Sequence, residues 1–528
     1  MGKGAATVEG FNLESTPGMN YANLRGLLDY IVMKGALERR LDKVKVRSSS
    51  CEGHTVLQKP APGRLGIAQE VWLKKGSVPA PKPRPKPGVD PARVAVVLGA
   101  GNQTFLSLTD CLSMLYDEDS VCILKVHPLR AYALSAFQDI FSGFISRGFL
   151  RVVACSTEEA SQLMHHPLVT HVHMTGGKAT HDAILWGPDS GTNAGRTDRR
   201  LNKKMTSELG CVTPYVVSSG AVWSQTELEY QAKCVVGPTI GNAGCNCLSP
   251  KLLILDKDWP QRDAFVAAVK KVMDEALIVP AYYPGAAKRY AAFKEQYCYD
   301  DAATVSFLGG KCKGAGANDK VAQRKDSEYF SPNADVLKYM LIEMKDGLAH
   351  NVNKYAFLNE PFAPVLTVVP LSGGNDAETF LSKAVTFCND ECFGTLSATL
   401  AIHPKVNPQT CDKAIAGLRY GSVIVNGWGP FGFEAYWGGH HSEDIERVES
   451  GVGYVNQLID VDPDLIEKAV TRLPFKTLLH MAQMPSDGRI PGHTPAWTAQ
   501  LQRAVVKPSC MNTLRLLWRR GGRPEAVN

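Results

Sequence analysis

Hydrophobic and polar positions change their spacing along this chain, and the changes divide it. Between residues 17 and 46, Leu24, Leu27, Leu28 and Ile31 recur at helical spacing and Leu37 and Leu41 continue the stripe, so this segment is predicted to be mostly helical. Residues 76–92 are dominated by Pro79, Pro81, Pro83, Pro85 and Pro87 with Lys82, Arg84 and Lys86 between them. Proline fixes φ and removes a donor, so this stretch reads as an extended connector. The pattern then becomes regular. Arg93–Leu98, Val121–Val126, Arg151–Cys155 and Leu168–Thr175 are predicted strands, and 103–116, 129–147 and 157–165 are predicted helices between them. Such alternation makes a parallel sheet covered on both faces, with ligands bound at the carboxyl ends of its strands. Gly99–Asn102 and Gly176-Gly177 fall at such ends.

Residues 187–204 are polar and read as a surface loop. A second α/β stretch follows. Its predicted strands are Pro214–Ser218, Lys251–Asp256, Leu366–Pro370, Thr395–Ile402 and Ser422–Asn426, with predicted helices at 224–236 and 260–277. The Gly- and Lys-rich residues 309–326 read as another exposed loop, and the tail beyond 460 has weaker order and many prolines. No internal repeat is visible.

Composition narrows the function classes. The chain has 528 residues, 44% hydrophobic and 21% charged, as a soluble multidomain enzyme would. Its net charge of +6, from 58 Lys+Arg against 52 Asp+Glu, is too mild to demand nucleic acid or a membrane surface as partner. The 14 cysteines are scattered, several in apolar segments (Cys111, Cys122, Cys155), and read as reduced thiols of a cytoplasmic protein rather than a disulfide framework. No apolar run approaches the ~18 residues of a membrane span. The segment Met1 to Ala6 lacks an apolar signal region, and Ala6 stands where a myristoylation site would have Ser or Thr.

The chemistry concentrates in Gly241-Asn242-Ala243-Gly244-Cys245-Asn246-Cys247, ahead of the apolar run Leu252–Leu255. A cysteine on a Gly-rich turn lets a carbonyl approach sulfur and a backbone N–H approach its oxygen. Glu208 lies upstream in Ser207-Glu208-Leu209-Gly210, and Asn102 farther upstream in Gly99-Ala100-Gly101-Asn102. Thiol, carboxylate and amide are the parts of covalent chemistry on an aldehyde or thioester. Each has a plainer reading too. Cys247 as an inert buried thiol, Glu208 as a cap or ion-pair residue and Asn102 as a turn former all fit their local sequence. Cys245 reads as a packing neighbour, and no second cysteine pair stands at zinc spacing. His171 and His173 alternate on one strand face, as metal ligands or as buried structural histidines.

Over roughly residues 93–455 the chain resembles the aldehyde dehydrogenase superfamily, on several segments in that family's order. Val94–Leu98 leading to Asn102 resembles the strand and turn of the oxyanion-hole asparagine. Ile123-Leu124-Lys125 resembles the strand whose lysine contacts the adenosine ribose. His166-Pro167-Leu168 through Gly176-Gly177 resembles the approach to the phosphate-side turn. Glu208-Leu209-Gly210 resembles the general-base motif, and Asn242 to Cys247 the nucleophile motif. Glu360-Pro361-Phe362 resembles the motif whose glutamate holds the nicotinamide ribose, and Gly421 to Asn426 the late strand near the substrate tunnel.

The resemblance implies an α/β fold with a Rossmann-type parallel-sheet cofactor domain and a second α/β catalytic domain. The expected division is 1–92 for an N-terminal helical region and Pro-rich connector, 93–205 with part of 427–460 for the cofactor domain, 206–426 for the catalytic domain and 461–528 for a C-terminal extension. It implies Cys247, Glu208 and Asn102 as catalytic residues and Lys125, Gly176, Gly177, Glu360 and Phe362 as cofactor contacts, with NAD or NADP as cofactor and no metal. The implied reaction is oxidation of an aldehyde to a carboxylic acid through a cysteine thioester. Acylating or acyl-CoA-reducing chemistry on the same cysteine is the alternative within enzymes, and a catalytically silent nucleotide-binding member is the alternative outside them. The implied partner is a small aldehyde or acyl thioester, with a homo-oligomer left open. Three departures stand out. Ala100-Gly101 replaces Pro-Trp before Asn102, as in the acyl-CoA-reductase branch. Pro128 replaces the ribose-binding glutamate of NAD-preferring members, which leaves His127 and Arg130 near a 2′-phosphate. Gly438-Gly439-His440-His441 replaces a Gly-Gly-aromatic-Lys pattern.

Overall fold

The computed structural model describes residues 44–47, 52–60, 67–86, 88–187, 199–276, 278, 281–309, 336–427, 429, 432–433, 436–440, 448–457 and 459–476. The expected helix over 17–46 lies outside them except at 44–46. So do most of the loops at 187–204 and 309–326, His441, and the C-terminal extension beyond 476.

In chain order the strands are β1 (Lys45–Val46), β2 (Val56–Pro60), β3 (Ala68–Leu73), β4 (Val94–Leu98), β5 (Val121–Lys125), β6 (Leu150–Val153), β7 (His171–Gly176), β8 (Lys204–Leu209), β9 (Thr213–Val217), β10 (Pro250–Asp256), β11 (Ala303–Leu308), β12 (Tyr339–Met344), β13 (Val365–Leu371), β14 (Ser397–Ala401), β15 (Ser422–Val425), β16 (Gly451–Val452) and β17 (Ile466–Arg472). The helices that cover them include α1 (Leu106–Tyr116), α2 (Leu134–Ile140), α3 (Ser142–Ser146), α4 (Thr157–His165), α5 (Lys178–Trp186), α6 (Gln225–Ile240) and α7 (Arg262–Glu275).

One sheet runs β16-β8-β7-β4-β5-β6, with β8 to β6 parallel and β16 antiparallel at its edge. Its parallel strands have the chain order 3-2-1-4-5 of a doubly wound sheet, whose switch point lies between β4 and β7. The expected Gly99–Asn102 and Gly176-Gly177 turns leave the carboxyl ends of those two strands. The second sheet has 11 strands, with a parallel centre from β12 to β17 flanked by antiparallel β11 on one edge and β3, β2 and β1 on the other. Its core is aliphatic, with Leu252, Leu253, Ile254 and Leu255 of β10 wholly buried. The α/β class and the parallel sheet of the first stretch are those expected. The expected division at 205/206 falls inside β8, which belongs wholly to the first sheet.

Three local expectations are corrected. The single helix at 129–147 is a 3-10 turn at Pro128–Ala133 followed by α2 and α3. The break falls at Phe141-Ser142-Gly143, where Ser and Gly weaken a helix and Phe141 is pulled into the core. The tail beyond 460 contains an ordered central strand, β17, between β15 and β3. Its Lys468 is buried and donates from Nζ to the carbonyls of Ile415 at 2.9 Å, Ala416 at 3.3 Å and Leu418. Finally, the segment before the connector supplies antiparallel strands to the large sheet. The connector itself is extended and pinned, with Lys82 on Glu118 at 2.8 Å and Arg84 on Asp119 at 2.9 Å. No helix among the described residues is long and apolar enough to cross a membrane.

Candidate active site

The loop that carries Cys247 is held in a conformation its sequence alone would avoid. Asn242, Ala243 and Gly244 are consecutive left-handed residues, with φ of 55°, 53° and 73°. Asn tolerates that region and glycine favours it, but alanine pays for it, at ~1–2 kcal/mol. Gly244 is required twice over, because a Cβ there would lie 2.3 Å from the Ala363 carbonyl oxygen. The loop is clamped from outside. The Asn242 amide donates to Cys245 O at 3.1 Å and Asn102 O at 3.2 Å, and buried Lys251 donates to Asn246 O at 2.6 Å and Ser249 O at 2.7 Å.

Cys247 sits between the two sheets. Its Sγ donates to Glu208 Oε1 at 3.1 Å, from the end of β8. Its carbonyl accepts from Thr213 Oγ1 at 3.0 Å. Cys247 packs against an apolar cluster that includes Leu106, Phe433, Trp437 and Ala100, the last from the Gly99–Asn102 turn. Burial pushes the Cys247 thiol well above its ordinary value, and the neighbouring Glu208 and Glu360 carboxylates add to the rise. Burial likewise raises Glu208 from 4.5 to about 7, with Asp110 adding to it and the Cys247 and Trp437 hydrogen bonds opposing it. The resting site therefore holds a thiol beside a carboxyl poised near neutrality.

Asn102 is buried, and its Nδ2 donates to Cys245 O at 3.2 Å, which leaves its second amide hydrogen free of that bond. Its own carbonyl accepts from Arg130 at 2.8 Å and Tyr282 at 2.6 Å. Arg130 also donates to Gly101 O at 2.9 Å and to Tyr132 at 2.9 Å. With these bonds and one to Tyr282 at 3.0 Å, Arg130 braces the Asn102 turn rather than standing free for a 2′-phosphate. Cys245 is wholly buried, donates to Phe362 O at 3.4 Å and is raised to about 12 by burial, the profile of a packing thiol.

The residues expected to contact a dinucleotide fall on both sheets. Lys125 ends β5, and Gly176 and Gly177 lead into α5 at the switch point. A Cβ on Gly177 would meet nothing within 4 Å, so the approach to that helix N-terminus is open. Glu360 lies over Gly210, where a Cβ would come within 2.0 Å of its Oε2. Its Oε1 is 3.5 Å from Lys251 Nζ and has no hydrogen-bond partner among the described residues. Burial raises this carboxyl to about 7, with Lys251 pulling the other way. A buried carboxylate oxygen in need of a donor fits a ribose hydroxyl. Phe362 is left-handed, with φ of 40°, and its ring packs on Tyr283 at 5.0 Å and under Arg289 at 5.7 Å.

The profile of the aldehyde dehydrogenase family matches residues 120–284, which include β5, β7, β8, Glu208 and Cys247. The fold is that of the aldehyde dehydrogenases. Lactaldehyde dehydrogenase from Escherichia coli is similar over 85% of this chain and 77% of its own, at 18% identity and a TM-score of 0.55. The structure of 3,6-anhydro-L-galactose dehydrogenase is similar over 85% and 78%, at 16% identity and a TM-score of 0.54. Succinic semialdehyde dehydrogenase from Streptococcus pyogenes, solved with NADP+, is similar over 84% and 79%, at 16% identity and a TM-score of 0.52. No curated protein matches the chain in sequence. For this aldehyde dehydrogenase fold, the sequence did not single out Asp110, Thr206, Tyr282, Trp437 or Lys251. The only signal for Asp110 was a charge inside an apolar helix face, and for Thr206 a polar residue two positions before Glu208.

Proposed function

We propose that this chain is an NAD(P)-dependent aldehyde dehydrogenase that converts a small aldehyde to its carboxylic acid, with Cys247 as nucleophile, Glu208 as general base and Asn102 as oxyanion donor. The 3.1 Å contact between Cys247 Sγ and Glu208 Oε1 carries this reading. Glu208 takes the thiol proton as the sulfur attacks the carbonyl carbon, so the high resting value of the thiol is no obstacle. The Asn102 amide and the Cys247 N–H steady the oxyanion, and donors of this kind are worth ~3–4 kcal/mol in related acyl chemistry. A bound nicotinamide dinucleotide would supply the hydride acceptor, held by Lys125, Gly176, Gly177 and Glu360. Glu208 then takes a proton from the water that cleaves the thioester. The first sheet with its β16 edge forms the cofactor domain in this reading, and the large sheet supports the catalytic one.

A base in hydrogen-bond reach of the thiol favours hydrolysis over transfer to coenzyme A. The test is a purified-protein assay on aldehyde and acyl-CoA panels with each nicotinamide cofactor, with Cys247→Ala as control. Acid formation that the variant lacks is the expected result. Acyl-CoA formation without acid would move the assignment to the acylating class. Inertness to all substrates with both cofactors would make the chain a silent member.

A further inference from the structure

β7 and β8 lie in a parallel sheet covered on both sides, where strands are normally apolar on both faces. One face of this pair is polar throughout. The register sets His171 opposite Lys204, His173 opposite Thr206 and Thr175 opposite Glu208. Period-two alternation therefore puts all six on one face, in a stripe two strands wide. Its inner members are sealed, with His171, His173, Thr206 and Glu208 at 4%, 1%, 8% and 2% exposure and Asp110 of α1 at 0%.

The contacts along the stripe run unbroken from His171 to Thr175. Thr206 Oγ1 lies 2.8 Å from His171 Nε2 and 2.8 Å from His173 Nδ1. His173 Nε2 faces Asp110 Oδ1 at 3.6 Å, and Thr175 Oγ1 donates to Asp110 Oδ2 at 3.0 Å. At the inner end Glu208 Oε1 holds Cys247 and Trp437 also bonds to the carboxyl, while Asp110 Oδ1 and His173 Nε2 are buried with no hydrogen-bond partner among the described residues. Asp110 and His173 both act electrostatically on Glu208, and their unpartnered oxygen and ring nitrogen are groups that one ordered water would bridge to its carboxyl. At the outer end His171 borders Lys204, Glu118 and Lys82, and the Lys204 side chain is 55% exposed.

We propose that this stripe is the proton path of the active site: from Glu208 through one water to His173, through Thr206 Oγ1 to His171, and out at the Glu118–Lys204 edge, with Asp110 and Thr175 positioning the His173 ring. The need follows from the mechanism, and the proposal rests on the acyl-enzyme part of the functional reading. Glu208 gains the Cys247 proton when the C–S bond forms, and must lose it before it can accept another from water. The path carries that first proton away. Water oxygen then bonds to the acyl carbon and its proton passes to Glu208. The C–S bond breaks with its electron pair on sulfur, the thiolate takes the Glu208 proton, and the acid product ionises in solvent. Thr206 can serve both histidines because a hydroxyl accepts from one and donates to the other. Burial lowers His171 to about 3, so a proton reaching it is handed on rather than stored.

The test separates acylation from deacylation without any cofactor. A p-nitrophenyl ester acylates a reactive cysteine in a burst of nitrophenolate, and the following steady phase reports deacylation. His173→Gln and Thr206→Val should keep the burst amplitude and lower the steady rate at least tenfold, with acyl-enzyme visible by intact mass. Thr206→Ser, which keeps the hydroxyl, should restore the steady rate and guards against misreading a folding defect in the other two. Steady rates within twofold of wild type in both variants would overturn the path, as would a burst lost in a variant of unchanged thermal stability. If the wild type turns over the ester but oxidises no aldehyde, the functional reading fails while the path is still judged by these rates. A wild type inert to the ester overturns both.

Discussion

Glu208→Gln tests the site through its energetics as well as its rate. In the native chain burial raises the carboxyl from 4.5 to about 7, so it holds its proton over about 2.5 pH units in which the unfolded chain has lost it. That difference corresponds to about 3 kcal/mol by linkage. The folded state binds more protons than the unfolded one in this window. The associated stability is therefore fully present below pH 4.5 and is lost as pH rises through about 7. Glutamine does not titrate. Its stability relative to wild type should climb between pH 5 and pH 8, by up to about 3 kcal/mol, whatever fixed cost the lost carboxylate bond to Cys247 imposes. Urea unfolding of both proteins at the two pH values measures the climb, since Glu360 titrates alike in each. A stability difference that stays flat with pH would refute a buried, proton-holding Glu208. The same variant should slow deacylation by ~10²–10⁴, so that an acyl-enzyme accumulates as a mass increase on the intact protein. Aldehyde oxidation at the wild-type rate would make Glu208 structural.

Other outcomes follow from the same geometry. Cys247→Ala should abolish product formation while a fluorescence titration finds cofactor binding nearly unchanged, because the sulfur belongs to the chemistry. Gly210→Ala places a Cβ 2.0 Å from the Glu360 carboxylate and should weaken cofactor binding about tenfold (~1.4 kcal/mol) without unfolding the protein. Arg130→Ala removes the donors that pin Gly101 and Asn102 and should cost at least ~2 kcal/mol in a denaturant titration, with a matching fall in kcat. With no carboxylate at Pro128 to repel a 2′-phosphate, NADP should bind at least as tightly as NAD; clearly tighter NAD binding by titration would count against this.

The parts of this fold that follow simple periodicity were readable in the chain. β4, β5, β10, β13 and β15 are short apolar runs, and their helices carry apolar faces. What escaped were strands whose composition serves something other than packing. β8 reads Lys-Met-Thr-Ser-Glu-Leu and β17 contains Glu467-Lys468, yet β8 pairs along its length with β7 and β17 lies inside the large sheet, where Lys468 is satisfied by buried carbonyls. The antiparallel edge at β1 to β3 pairs with residues about 400 positions later, a distance over which no local pattern speaks. The candidate site shows the same split. Cys247 and Glu208 were legible as motif residues, and they do meet. Asp110 and Thr206 were not, since their roles depend on which strand faces which. Arg130 was legible as a charge but not as the clamp of the Asn102 turn.

The strain in the Cys247 loop shows why these residues act as a unit. Two non-glycine residues in left-handed conformation store ~1–3 kcal/mol each and persist only where the surroundings over-determine them. Here the constraints come from three directions. Asn102 and Asn242 link the loop to the turn after β4, Ala363 presses on Gly244 from the segment before β13, and Lys251 gathers the Asn246 and Ser249 carbonyls at the start of β10. Two of those anchors belong to the large sheet and one to the other. The position of the sulfur is therefore set jointly by both sheets, and so is its separation from Glu208, which β8 brings from the smaller one. A change that shifts the sheets against each other moves thiol and carboxylate apart before it disturbs either core. Loss of the Cys247–Glu208 contact should thus precede unfolding, and thiol alkylation followed through a denaturant titration should report that loss at lower denaturant than the global transition. Coincident transitions would show that the loop strain is borne locally.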